Sequence, residues 1–192
     1  MNNPIAKFTL WWQAALADSP LQQPGAVCIS TIDENGFPAG RFVDLKAVRA
    51  DGLVFCSDLA SAKGRHLAHN PKIAMTVWWD HLGYQVRVTG FAAPITAAEA
   101  DHFWQTRSRS AQLVTTAFTQ SSPLASELDL TTTYDQAAAR LSEQAITRPA
   151  RWGGYGIKPV AMEFLTFHDS RLHLRELFQL EASGWTKHLL QP

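Results

Sequence analysis

The chain has almost none of the residue chemistry that most often announces an enzyme. Cysteine is nearly missing, with Cys28 and Cys56 the only two in 192 residues. Both lie in apolar, strand-like runs, which argues against a disulfide framework and predicts buried thiols in a reducing compartment. No cysteine pair has ligand spacing, and His66, His69, His81, His102, His168, His173 and His188 follow no metal-ligand pattern, so no metal site is expected. Net charge is absent too. The 17 basic residues are balanced by 17 acidic ones, which excludes a general nucleic-acid-binding field and confines any anion site to a local cluster. No stretch is long and apolar enough to span a bilayer, and no basic segment followed by an apolar core opens the chain. The expectation is a soluble, cytoplasmic protein with neither membrane nor nucleic-acid partner. Nothing resembles a Ser/His/Asp triad, a Walker loop or paired carboxylates, and Asp44 and Glu163 read as lone acids in strand-like contexts. Hydrolytic chemistry finds little support.

What is present is a globular composition, 46% hydrophobic and 18% charged, enough for one domain with a full core. Phe8, Trp11, Trp12 and Leu16 recur at helical spacing after Pro4, and Asp18-Ser19-Pro20 ends the run, which predicts a lid or docking helix. Strands at 26–32 and 39–48 flank Asp33-Glu34-Asn35-Gly36, a strong hairpin signal, and Asp51-Gly52 turns into a third strand at 53–57. A short helix at 61–69, closed by Asn70-Pro71, leads to a strand at 73–79. Residues 83–95 alternate as a long strand bent near Gly90. Thr96 and Glu99 have capping-box spacing for a helix to about Thr106; helical segments follow from Ser110 to Phe118 and, capped by Ser126, through Tyr134 to Gln144. After a loop holding Pro149 and Gly153-Gly154, strands return at 161–167, 171–180 and 185–189. Strands that resume after helices predict a mainly β, α+β fold: an antiparallel barrel of six to eight strands with helices packed outside.

The most informative stretch is Arg171-Leu172-His173-Leu174-Arg175. On an extended strand Arg171, His173 and Arg175 would line one face and the leucines the other, so the row suits an anionic ligand or is simply a solvated face. Lys63, in the first helical turn after Ser61, gives a second anion candidate, because a hydroxyl, a helix N-terminus and a lysine can cradle phosphate; the alternative is an ordinary helix cap. Arg41 and Lys46 flank Phe42-Val43-Asp44-Leu45 and, five residues apart, fall on opposite faces of a regular strand. Serving one ligand would need a bulge, or a neighbouring subunit. Arg107-Ser108-Arg109 and Gln120-Ser121-Ser122 end helical segments, where basic residues also favour the helix dipole.

Taken in order, Arg41 to Lys46, Val54-Phe55-Cys56-Ser57 with Ser61-Ala62-Lys63, Gln85-Val86, Gln120-Ser121-Ser122 and Arg171 to Arg175 resemble the pyridoxamine 5'-phosphate oxidase family of FMN-binding split-barrel proteins. The resemblance runs from about residue 8 to the C-terminal Leu190-Gln191-Pro192 and includes Trp152-Gly153-Gly154. It implies a single FMN-binding split-barrel domain over residues 1–192, with an N-terminal helix (about 4–17) and a helical insertion (about 96–145). It also implies a homodimer holding FMN between subunits, which would relieve the conflict between Arg41 and Lys46. By position, Arg41 and Lys63 would face the FMN phosphate, with Ser57 and Ser121 as hydroxyl donors. The backbone of Phe42, Val43 and Asp44 would run along the flavin ring. Lys46, Cys56, Gln85, Gln120 and Arg175 would make further cofactor contacts. Lys46, Arg107, Arg171 and His173 would meet the substrate, with Arg171 and His173 over the reacting carbon. The implied reaction is hydride transfer from substrate carbon to flavin N5, with reoxidation by oxygen.

Departures from the family pattern bear on the substrate. Phe103 and Ala111 stand where relatives usually have a tyrosine and a serine that hold the substrate phosphate. A hydrogen bond to a charged group contributes about 1.5–3 kcal/mol, so two missing donors would weaken phosphate binding by orders of magnitude unless Lys46 and Arg107 compensate. Ala62 replaces a usual arginine and Leu165 a usual tryptophan on the cofactor side, and Leu174 stands where an acid is common. The expectation is an oxidase of pyridoxine or pyridoxamine 5'-phosphate, serving pyridoxal phosphate biosynthesis. The alternatives are an oxidase for a phenazine-precursor type of aromatic, or a flavin- or haem-binding split barrel without turnover.

Overall fold

The computed structural model describes residues 3–17 and 19–192. Helix α1 (Pro4–Leu16) starts because Asn3 accepts hydrogen bonds from the Ile5 and Ala6 amides at 3.0 and 3.2 Å and Pro4 occupies the first turn. It ends with Ala17 as its cap; Asp18, part of the predicted stop, lies outside the described residues. The helix is not a detachable lid. Phe8 is fully buried against Trp79 with ring centroids 5.7 Å apart, Ile5 and Ala15 join the same core, and Trp11 stacks on Tyr84 at 4.0 Å.

Strands β1 (Ala26–Ile32) and β2 (Pro38–Arg49) form the expected hairpin. Asp33 closes its turn by accepting from the Asn35 and Phe37 amides at 2.9 and 2.8 Å, and Gly36 takes a φ of +85°, which favours glycine. β2 pairs with β3 (Gly52–Asp58), with a register shift between Leu45 and Ala47 that sets Lys46 in a bulge. Helix α2 (Ala62–His69) follows, then β4 (Lys72–Trp79) and β5 (Tyr84–Pro94), whose register slips between Thr89 and Gly90 where the bend is expected. Helices α3 (Ala97–Gln105), α4 (Arg109–Ala117) and α5 (Leu128–Leu141) pack outside. The Thr96–Glu99 capping box forms, but Ser126 does not cap α5: Glu127 occupies that place, and the Ser126 amide donates to Asp129 at 3.1 Å.

Strand β6 (Trp152–Thr166) is more than twice the predicted length. Gly153 and Gly154, expected in a loop, lie inside it. A side chain on Gly154 would stand 2.5 Å from the Phe55 carbonyl oxygen, so this glycine permits close approach of β3 and β6. That pairing closes the six strands β3-β2-β1-β4-β5-β6 into an antiparallel barrel, and β7 (Leu174–Glu181) and β8 (Gly184–Leu190) extend the sheet beyond β6. The fold is the expected split barrel. Alternation along β1 turns Val27, Ile29 and Thr31 into the interior, with Phe55, Met75, Val86, Val88, Met162 and Phe164. A second, smaller core of Trp104, Leu113, Ile146 and Trp152 attaches the outer helices to the start of β6.

The strand predicted from Arg171 begins only at Leu174. Residues 168–173 form a turn in which the Arg171 amide donates to the His168 carbonyl at 3.0 Å and Arg171 adopts φ +65°. Leu172 and Leu174 are exposed rather than packed in the core. The alternating pattern is real, but the backbone does not extend it.

Candidate active site

The site begins with a lysine that ought to be in water. Lys63 is buried at the start of α2, where Ser61 caps the helix by accepting from the Gly64 amide. Its ammonium donates to Ser57 Oγ at 3.0 Å, Gln120 Oε1 at 3.0 Å and Ser61 Oγ at 3.2 Å. All three acceptors are neutral. Burial, reinforced by the nearby positive charge of Arg41, pushes its pKa down to about 8. Arg41, on β2, is also held below its ordinary value by burial, and one of its N–H groups donates to Thr31 Oγ1 at 2.6 Å. Among the described residues neither cation has a carboxylate partner within salt-bridge distance. The buried Asp58, whose charge acts on Lys63, is bound elsewhere: it accepts from the Ala60 amide at 2.8 Å and from Arg151 Nε at 2.9 Å.

Lys63, Ser57 and Gln120 open on a cleft of about 340 Å³, bounded by Phe42, Val43 and Asp44 of β2, Cys56 of β3, and Val114, Thr115 and Phe118 of α4, with Arg41 just behind it on β2. Trp152 and Arg107 complete its far wall. Arg107 lies over the Trp152 ring at 4.9 Å and donates to the Ala111 carbonyl at 3.0 Å and Thr115 Oγ1 at 3.1 Å. Among the described residues its Nε is buried without a partner. Burial lowers the Arg107 pKa and raises that of the Cys56 thiol to about 11, so Cys56 stays protonated and is a wall rather than a nucleophile. Both cysteines are free and half-buried, less enclosed than expected. Arg109, by contrast, turns away to bind the Ser142 and Gln144 carbonyls.

The remaining predicted residues fall elsewhere. Lys46 pairs with Asp44 at 2.5 Å on the outward face of β2, so despite the bulge it does not join Arg41, and Asp44 is not a lone acid. Ser121 is exposed, at φ +70°, and only its neighbour Gln120 reaches Lys63. Gln85, Leu165 and Arg175 lie in register across β5, β6 and β7, at the opposite end of β6 from Trp152. Glu163, expected to be alone, takes both Nε and Nη2 of Arg175 at 2.9 and 2.7 Å and Nη1 of Arg87 at 3.0 Å. Arg171 is exposed in the 168–173 turn. His173 stacks on Phe167 and accepts from the His168 amide at 3.1 Å. One chain therefore collects Ser57, Lys63, Arg107 and Gln120 around one cleft, with Arg41 close enough to act on Lys63, and leaves Gln85, Arg171, His173 and Arg175 at the other end of the barrel wall. Asp58 and Arg151, which brace the cleft, give no local signal because 93 residues separate them.

Residues 14–142 match the family model described as pyridoxamine 5'-phosphate oxidase, and residues 152–192 match that of the pyridoxine 5'-phosphate oxidase C-terminal dimerisation region. The chain belongs to the pyridoxamine 5'-phosphate oxidase family. Relatives named pyridoxine/pyridoxamine 5'-phosphate oxidase include one from Bradyrhizobium sp. (strain ORS 278), 42% identical over 98% of this chain and 88% of its own. Another, from Vibrio cholerae, is 37% identical over 99% of this chain and 90% of its own. Among solved structures, PhzG from Burkholderia lata 383, in complex with tetrahydrophenazine-1-carboxylic acid, superposes with a TM-score of 0.93 at 27% identity, covering 100% of this chain and 94% of that one. An FMN-binding, oxidase-related protein from Nostoc punctiforme shares the fold, with a TM-score of 0.77 at 16% identity over 98% of this chain and 96% of its own. Family membership accounts for a cleft that shows no hydrolytic machinery. Within the described residues no helix is long and apolar enough to cross a membrane.

Proposed function

We propose that this chain is an FMN-dependent oxidase that works as a homodimer, the whole of residues 1–192 serving as one FMN-binding domain. The observation that carries the proposal is the buried Lys63, whose acceptors among the described residues are all neutral oxygens, next to a second desolvated cation, Arg41. Buried charge without a counter-ion is costly, and a phosphate would supply the missing negative charge. Lys63 and Arg41 would hold the FMN phosphate, Ser57 and Gln120 would orient the ammonium, and the backbone at Phe42–Asp44 would flank the ring. Bound FMN supplies the hydride acceptor for the substrate carbon.

The chain's own task is to bind and orient. The cleft wall of Val43, Val114, Phe118 and Trp152 would shield one face of a bound ring from water. Arg107, clamped between Trp152 and Thr115, retains a free buried Nε that suits a substrate anion. Gln85 and Arg175 would reach the cofactor, and Arg171 and His173 the substrate, from the partner subunit. Support for this comes from their separation from the cleft along β6 and from the match of residues 152–192 to a dimerisation region.

Two substrate classes remain in competition. The curated relatives favour pyridoxine or pyridoxamine 5'-phosphate. The backbone likeness to PhzG, together with Phe103 and Ala111 lacking side-chain hydroxyls beside Arg107, favours a larger aromatic acid. Purified protein supplied with FMN should show flavin bleaching under anaerobic conditions with one of the two, and hydrogen peroxide when air is admitted. Bleaching by neither pyridoxamine 5'-phosphate nor tetrahydrophenazine-1-carboxylic acid would leave a flavin-binding protein without turnover. Failure of FMN to raise the melting temperature would sink the cofactor assignment itself.

A further inference from the structure

Behind the cleft, a hydrogen-bonded chain runs from β2 through β1 to α2. Arg41 Nη1 donates to Thr31 Oγ1 at 2.6 Å, and Thr31 Oγ1 lies 3.0 Å from Nδ1 of His66. Thr31 is fully buried, the last inward-facing residue of β1. It sits diagonally across the hairpin from Arg41, whose direct partner is Ile29. His66 stands one helical turn beyond Lys63, so α2 presents both residues to the same corner of the barrel.

A threonine hydroxyl has one hydrogen to give and two lone pairs, and the arginine has no lone pair to receive a proton, so Thr31 accepts from Arg41. The one side-chain acceptor in reach of its own hydrogen among the described residues is His66 Nδ1. A full set of hydrogen bonds along the chain is obtained when the imidazole accepts at Nδ1 and carries its proton on Nε2. The remaining N–H groups of Arg41 have no protein acceptor among the described residues and stay available to an anion held by Lys63.

We propose that His66 is a positioning residue: acting through Thr31, it fixes the Arg41 guanidinium so that its free N–H groups converge with Lys63 on one phosphate. This deepens the FMN assignment and rests on it. The chain explains why a threonine is tolerated among the apolar interior residues of β1. It also assigns α2 a double role, with Lys63 binding directly and His66 aiming a residue on another strand.

The test compares broken and repaired links. Thr31→Val and His66→Leu remove the hydroxyl and the acceptor, and each should weaken FMN binding, read by quenching of flavin fluorescence, by about tenfold or more. Thr31→Ser restores a hydroxyl, and His66→Asn places an amide oxygen near the lost Nδ1; both should bind within about threefold of the unsubstituted protein. The melting temperatures of the cofactor-free variants, measured alongside, separate aiming from folding, since Asn and Leu at position 66 should differ in FMN affinity more than in stability. Nitrogen-15 spectra of the histidine rings provide a readout independent of FMN and should show His66 Nδ1 unprotonated. A protonated Nδ1, or equal FMN affinity in all four variants, would overturn the role of His66 while leaving FMN binding intact. If the unsubstituted protein fails to bind FMN, the cofactor assignment falls and the role built on it falls too.

Discussion

The two ends of β6 treat positive charge in opposite ways. Toward the Trp152 end, Lys63 and Arg41 are desolvated and have no carboxylate partner among the described residues, and Asp58, whose charge acts on Lys63, is bound by Arg151. Near Thr166, Arg175 is bonded twice to Glu163, which also takes Arg87, while Arg171 stands free in an exposed turn. The first arrangement is expensive unless an anion arrives; the second is stable by itself. On the proposed reading, a chain folded alone holds a charged half-site that calls for a ligand, while Gln85, Arg171, His173 and Arg175 stand far from it along β6; two chains, each offering its Thr166 end to the other's cleft, would remove both deficits.

Removing the unsatisfied charge should have the largest effect on this contrast. Lys63→Ala deletes a charge-assisted contact and should lower FMN affinity by about a hundredfold, measured by fluorescence titration. The cofactor-free variant should be no less stable, because a buried, poorly compensated cation contributes little to folding. Arg175→Ala should weaken FMN retention by about tenfold, even though Arg175 is far along β6 from the cleft of its own chain. Arg171→Ala should leave FMN content unchanged and depress turnover, so equal kinetics in the two variants would show that the Thr166 end is only a solvated face. The smallest effect is in pH. With Lys63 at about 8 in the free protein, the lysine contributes its full charge to FMN binding below that value. A bound phosphate raises the lysine pKa, so affinity should fall as pH rises from about 8 toward the value in the complex, by at most about tenfold per unit. Lys63→Ala should abolish that slope.

The two ends also differ in how well they are written locally. The hairpin at Asn35-Gly36, the capping box at Thr96 and Glu99 and the bend at Gly90 depend on neighbouring residues and stereochemistry, and each forms where the local pattern predicts. Ser61 and Lys63 are legible for the same reason. The stretch from Arg171 to Arg175 alternates like a strand, yet the turn at 168–173 and the positive φ of Arg171 divide it, leaving only Leu174 and Arg175 in β7. Gly153-Gly154 looks like a loop because its purpose, contact with β3, lies about a hundred residues away. The Asp58–Arg151 brace and the Glu163–Arg175 pair were hidden similarly, since strand pairing and helix docking create them and no spacing encodes them. The family resemblance groups Arg41, Lys63 and Gln120, which no local pattern does; Lys63 donates to Gln120 at 3.0 Å and feels the charge of Arg41.

Mixing two damaged chains tests the central claim most directly. Lys63→Ala and Arg175→Ala subunits, unfolded and refolded together in equal amounts, form heterodimers as half of the dimers if assembly is random. If each FMN site takes Lys63 from one subunit and Arg175 from the other, every heterodimer contains one intact site. High-affinity FMN binding should then return to about a quarter of the unsubstituted capacity, although neither variant alone shows it. If both residues serve a site within a single chain, each site in the heterodimer carries one substitution. No high-affinity binding would then return, and the shared-site account would be wrong.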